Sequence, residues 1–196
     1  MRRLACCQWS PPIPAFAATA AHDALRAATG AAHDRVDGVL GGGLHSADDY
    51  RAYLRGMHRF VSDGQAALAQ VANGLADQRD RLERDLGALR IVPLPAATRP
   101  AAVVDRPGQL GWGYVVAGSS LGARFLLREA RALGYAPGAG ADFLTGHAGG
   151  DAWPAFLREL DAAALSDTDH PRLCAAATEA FGHAESALRC AKEALA

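Results

Sequence analysis

Leu110-Gly111-Trp112-Gly113-Tyr114-Val115-Val116-Ala117-Gly118-Ser119-Ser120-Leu121-Gly122-Ala123-Arg124-Phe125-Leu126 is strongly apolar text interrupted at i, i+4 by Gly118 and Gly122. It shows no period-2 alternation and is too long for an ordinary strand. The spacing therefore predicts the middle of a helix over Gln109 to Leu133, closed by Gly134 as the residue past its end. In such a helix Gly118 and Gly122 share one face, with Ser119 and Ser120 between them. Each helical glycine costs about 1 kcal/mol against alanine, so the pair needs a compensating reason. Three are available: close approach of a flat ligand, a kink, or tight crossing by another helix.

Working outward, alanine and leucine dominate, β-branched residues are sparse, and Gly/Pro breaks separate the periodic segments, so the fold class is all-α. A first helix is expected over Ala21 to Val36, stopping before Gly41-Gly42-Gly43. Ser46 with Asp49 three residues on reads as a capping-box variant opening a second helix, whose apolar face is Tyr50, Tyr53, Leu54, Met57, Val61 and Leu68. A third helix should cover Ala76 to Leu89. Pro93, Pro95 and Pro100 then enforce an extended connection, followed by a short helix near Ala101 to Val104. Gly134 to Gly150 reads as loop, and Trp153 to Leu165 and Pro171 to Leu195 as the last two helices. At 196 residues and 50% hydrophobic, the chain suits one domain with a substantial core. Residues 20–196 are expected to form it, behind a flexible leader at 1–19.

Twenty basic against 21 acidic side chains, net charge −1, leave no global field of the kind that nucleic-acid or membrane-surface binders use. Cys6, Cys7, Cys174 and Cys190 lack metal-site spacing and fit a reducing compartment. Gln8, Trp9, Ser10 and Pro11-Pro12 interrupt any export-type apolar segment, and no run approaches the roughly 18 apolar residues of a membrane span. A cytoplasmic, soluble monomer is the expectation.

On the first helix, Leu25, Ala28, Thr29, Ala32 and Val36 form the apolar stripe, with His33 at its border and Arg26 beside it. Arg26 and His33 lie two turns apart, roughly 10 Å along the axis, so one cofactor can touch both. Haem suits the pair, because its iron takes an imidazole and its propionates a cation. A border histidine with an ordinary hydrogen bond is the competing reading. A flat macrocycle between this helix and the glycine-bearing one would have one protein ligand on iron and an open face for O₂.

Leu25-Arg26-x-Ala28-Thr29-x-x-x-His33-x-x-Val36-Asp37 resembles the proximal-helix motif of the haem oxygenases, and Tyr114 to Gly122 resembles their distal-helix motif. The bacterial branch that includes suppliers of bacteriophytochromes is most similar. Phe143-Leu144-Thr145-Gly146, Trp153-x-x-Phe156-Leu157 and Ala180-Phe181 match the family's C-terminal half in order, so the likeness spans about Leu25 to Leu188. It implies a single-domain helical bundle holding haem between the first helix and a glycine-kinked distal helix. His33 would be the iron ligand, and Arg26 a propionate partner with Arg158 as a second. Thr29 and Tyr114 would also contact the haem, and Phe181 would pack near the ring edge. Gly118, Ser119 and Gly122 would line the distal face. Mammalian members carry aspartate where Ser119 stands, which leaves open what holds the distal water here.

The activity so implied is oxidative opening of haem to biliverdin, with release of CO and iron, using O₂ and electrons from a ferredoxin or another reductase. A bacteriophytochrome would be a possible acceptor of the product. A non-catalytic haem carrier or sensor on the same fold is the alternative; a di-iron carboxylate protein would need Glu-x-x-His pairs, which are absent. Arg51, Arg55 and Arg59 form a basic stripe that either docks an acidic electron donor or is a solvated face balanced by Asp48 and Asp63. His58 reads as a core-edge residue; His147, after a loop glycine, either approaches the haem edge or is an exposed loop residue, the second reading being favoured.

Overall fold

The computed structural model describes residues 20–69, 74–95 and 99–194; the expected leader, with Cys6 and Cys7, lies outside them. Among the described residues the chain forms α1 (Ala20–Leu40), α2 (Ala47–Ala67), α3 (Leu75–Ala88), α4 (Arg106–Ala132), α5 (Asp142–Gly149), α6 (Ala152–Ala162) and α7 (His170–Glu193), with no strand. None of these helices is long and apolar enough to cross a membrane.

The ends of the helices follow from their caps. α1 runs past Val36 to Leu40 and stops where Gly41 turns to φ +66°. Its buried stripe is Ala21, Leu25, Thr29, Ala32 and Val39, and Ala28, at the stripe's edge, is exposed. Ser46 caps α2 as expected: the Asp49 N–H donates to Ser46 Oγ at 3.1 Å and the Ser46 hydroxyl donates to Asp49 Oδ2 at 2.8 Å. All six positions of the apolar face of α2 are buried.

Three expectations are corrected. Residues 101–104 are not helical: the Val103 N–H donates to the Ala67 carbonyl at 2.8 Å and its side chain is buried, which ties the segment to the end of α2. Asp105 follows as the cap of α4, accepting the Gly108 N–H at 2.7 Å while Arg172 of α7 holds its carboxylate, so α4 begins three residues before Gln109. The Gly134 to Gly150 segment, read as loop, contains α5. That helix has no local side-chain cap. Asp85 of α3, itself buried, accepts the N–H groups of Asp142 and Phe143, both at 2.8 Å, and Arg124 of α4 donates to the Ala148 carbonyl at 3.2 Å near the other end.

The basic stripe is also put to internal use. Arg51 donates to the Leu89 carbonyl at the C-terminal end of α3, at 3.4 Å, and Arg59 donates to the Pro95 carbonyl. The stripe thus fastens the connection after α3. Asp63, expected to balance it, is instead buried against His183 Nδ1 at 2.9 Å.

α7 is the helix on which α1, α2 and α4 all pack; α5 bridges α3 and α4, and α6 lies on α4. The close crossing of α4 over α7 occurs at Gly111. A Cβ there would collide with the Leu173 carbonyl and stand 2.8 Å from Ala176 Cβ and 2.9 Å from Ala177 N. Gly118 has only ordinary contact with Trp153, 3.6 Å away, and Gly122 has nothing within 4 Å. The tight-crossing explanation of glycine in this helix therefore belongs to Gly111 and not to the pair downstream. Gly111→Ala should destabilise the protein by about 1–3 kcal/mol through overpacking, whereas Gly122→Ala should stabilise it by up to about 1 kcal/mol through helix propensity; urea unfolding measures both.

Candidate functional site

α1 and α4 lie side by side on α7 and are bridged at two levels. At the first, the His22 ring stands 6.3 Å from Tyr114 and 5.7 Å from Trp153, and the Tyr114 hydroxyl lies beside Thr29, whose own hydroxyl donates to the Leu25 carbonyl at 2.8 Å. At the second, just past α1, Glu129 Oε2 accepts the Leu44 N–H at 2.7 Å and its carboxylate occupies the space a side chain on Gly43 would need. Tyr114, Gly118, Gly122, Phe125 and Glu129 fall on one face of α4, as Thr29, His33, Val36 and Leu40 do on α1. Fifteen helical residues separate the two bridges along α4, about 22 Å.

Between the bridges the facing stretch of α4 is apolar and uncovered, and the interval between the two helices is a candidate slot. Leu121 is 55% and Phe125 43% exposed, on either side of the open Gly122. Large exposed apolar groups grouped on one helix face mark a surface that something else covers. The α1 wall carries His33, 60% exposed, with the Asp37 carboxylate 3.2 Å from Nδ1 and the Phe181 ring edge-on at 5.8 Å. A carboxylate at Nδ1 favours the tautomer with the proton there and leaves Nε2 as the electron-pair donor, the arrangement that orients a metal-ligating imidazole. Among the described residues no three His, Cys, Asp or Glu side chains converge to hold a metal ion by themselves.

Both signs of charge act at the Tyr114 end of the slot, Asp23 and Asp161 opposing Arg26 at His22. Arg26 is exposed there; burial and then its charge lower the pKa of His22, while burial raises that of Tyr114 against the opposing pull of Thr29 and Arg26. Arg158 is exposed, with its guanidinium 3.8 Å from Asp151 at the start of its own helix.

On the far side of α4 the expectation for His147 is overturned. It is 6% exposed, carried by α5 rather than a loop, stacked on Phe143 at 5.1 Å, and its Nε2 lies 2.8 Å from Ser119 Oγ. Burial holds its pKa down, to about 4. His58 is a partly buried core-edge residue, as expected, with Glu83 at 3.7 Å.

Residues 19–189 match the family described as heme oxygenase. The chain belongs to the haem oxygenase family. It is similar to the heme oxygenase PigA of Pseudomonas aeruginosa, 31% identical over 147 residues that cover 69% of this chain and 74% of that one. Its fold is similar to that of the haem oxygenase of Neisseria meningitidis, solved with NO and CO bound, at TM-score 0.70 and 27% identity over 87% of this chain and 91% of the other. As a haem oxygenase it is an enzyme of haem degradation with an all-helical fold.

Within this haem oxygenase the structure brings together Thr29 with Tyr114 and His33 with Phe181, and sets Gly118, in contact with Trp153, on one face with the open Gly122. Sequence reasoning missed Glu129, Asp85 and the burial of His147, because each acts across a gap of many residues. Asp37 was within reach: a carboxylate four residues after a border histidine shares its face.

The buried imidazole fixes one pH dependence. His147 titrates at about 4 when folded, against 6.5 when exposed, so between those values the unfolded chain binds a proton that the folded chain refuses. The stability this neutral ring contributes is complete above pH 6.5 and is lost as pH falls toward 4, by up to about 3 kcal/mol. The difference in unfolding free energy between the parent protein and His147→Leu should therefore shrink steadily across that window; a difference independent of pH would contradict the burial assigned to His147.

Proposed function

We propose that haem lies in the slot between α1 and α4 and is the substrate, its ring opened to biliverdin with release of CO and iron. The observation that carries this reading is the pairing across the slot of His33, oriented by Asp37, with an uncovered apolar face around Gly118 and Gly122. His33 Nε2 is the iron ligand. A neutral imidazole, unlike a thiolate, does not push electron density toward early O–O cleavage. Arg26 receives a propionate, with Thr29 and Tyr114 beside it. Phe181 packs against the ligand imidazole and the ring edge. Arg158, paired here with Asp151, is the second cation assigned to the rim.

Gly118, Ser119 and Gly122 form the O₂ side. With no side chain on either glycine, the helix backbone can stand close above the ring and confine O₂ to one edge; the protein's contribution is shape and the placement of water. Electrons come from a ferredoxin or another reductase. We place the enzyme in the cytoplasm as a monomer, with residues 20–196 as its domain and a bacteriophytochrome as a possible product acceptor. The stripe on α2, engaged with the chain after α3, is not assigned to the donor.

A haem titration of the purified protein tests the reading. His33→Ala should weaken haem binding by about tenfold or more and abolish the histidine-type Soret spectrum with helicity intact; an unchanged spectrum refutes the ligand. Given O₂ and ascorbate, the loaded parent should develop a bilin band, whereas persistence of intact haem would make the protein a carrier. Gly118→Leu and Gly122→Leu should each cut bilin yield by about tenfold or more, since a branched side chain there fills the O₂ side. Survival of the yield in both would remove the distal assignment.

A further inference from the structure

His147 is a buried titratable group for which the haem-holding residues above have no use. Ser119 stands one residue past Gly118, at the border between the open face of α4 and the face covered by α5. Its hydroxyl donates to the Val116 carbonyl at 2.8 Å. The same oxygen lies 2.8 Å from the His147 ring nitrogen, and assigning the hydroxyl proton to Val116 puts the imidazole proton on that nitrogen. One lone pair of Ser119 Oγ is then taken by the imidazole, and one remains.

The imidazole is held firmly. Phe143 stacks on it, Asp85 anchors the first turn of α5, Arg124 holds the Ala148 carbonyl, and the Arg81 side chain of α3 fills the space beside Gly146. The ionisable groups around α5 are thus Arg81, Arg84 and Asp85 from α3, Arg124 from α4 and Asp142 on α5 itself. Burial rather than any of these charges keeps the ring neutral. A buried, uncharged N–H donor aimed at one serine on the rim of a substrate slot is a fixed dipole, and fixed dipoles orient what binds next to them without reorganising.

We propose that His147 is a positioning residue for the O₂ side of the slot: by donating to Ser119 Oγ it leaves that oxygen a single lone pair for a water molecule, whose second hydrogen is thereby directed into the slot. This rests on the haem reading of the slot. No residue changes protonation in the arrangement; His147 acts through Ser119, and Ser119 through the water.

The ferric haem-loaded protein gives the test, through the pH midpoint at which its visible spectrum changes from the acid to the alkaline form. His147→Leu and Ser119→Ala should each move that midpoint by about half a pH unit or more, since a hydrogen bond to one protonation state shifts the equilibrium. The double variant should move it no further than either single one. His147→Gln, whose amide N–H reaches the same oxygen, should restore the parent value. A parent-like midpoint in His147→Leu, additive shifts in the double variant, or a Gln variant as displaced as Leu would each overturn the proposal.

The tautomer gives a second readout that needs no variant and no haem. Nitrogen-15 NMR of the haem-free parent should show His147 protonated at Nε2, and protonation at Nδ1 overturns the proposal. Failure of the underlying reading looks different: a protein that binds no haem, or binds it equally after His33→Ala, removes the slot assignment and the proposal with it, whatever the His147 tautomer.

Discussion

The arrangement depends on one steric constraint, the contact of the α4 backbone with the α7 backbone at Gly111. Because a Cβ cannot be accommodated there, α4 is pinned against the central helix at its N-terminal third. Its rotation about its own axis is thereby set, and the stripe from Tyr114 to Glu129 is turned toward α1. Close-packed interiors transmit such constraints because side chains cannot yield independently. Since α1 also rests on α7, the distance between the slot's walls is decided by a third helix that contributes only Phe181 to the site.

Polar contacts then finish what packing begins. Thr29 with Tyr114 closes one end of the slot and Leu44 with Glu129 the other, so the walls are neither free to collapse nor free to part. Along α1, Asp37 gives the imidazole its direction and Phe181 its edge-on support. These are all interactions of the protein with itself. The site proposed for haem is thus laid out before the substrate arrives, which lowers the ordering cost of binding.

Much of this was legible in the sequence, and what was not has a common cause. Six of the seven described helices follow from apolar periodicity and caps, because Ser46, Gly41 and Gly134 act within a few residues of the ends they define. The face shared by Gly118 and Gly122 follows from spacing, as does the border position of His33. Three explanations for that glycine pair were open, and only space could choose, since Gly111 and Gly122 look alike on paper while one is jammed and the other bare. α5 was invisible because its N-terminal donors are satisfied by a carboxylate 57 and 58 residues earlier. The same distance hid the burial of His147. The basic stripe on α2 misled for the reverse reason: it has a docking pattern, but its partners are main-chain carbonyls that no side-chain code announces.

Asp85 gives the fold an unusual vulnerability. A short helix with its own cap tolerates change elsewhere, whereas the start of this one is moored by a buried side chain on a neighbour, with Arg124 of α4 holding its other end. Loss of that carboxylate would let the helix drift, and the residues it carries against α4 would drift with it. Variation on α3 can therefore imitate a lesion of the haem site, and a family comparison limited to slot-lining positions would overlook the residue on which half the distal scaffold hangs.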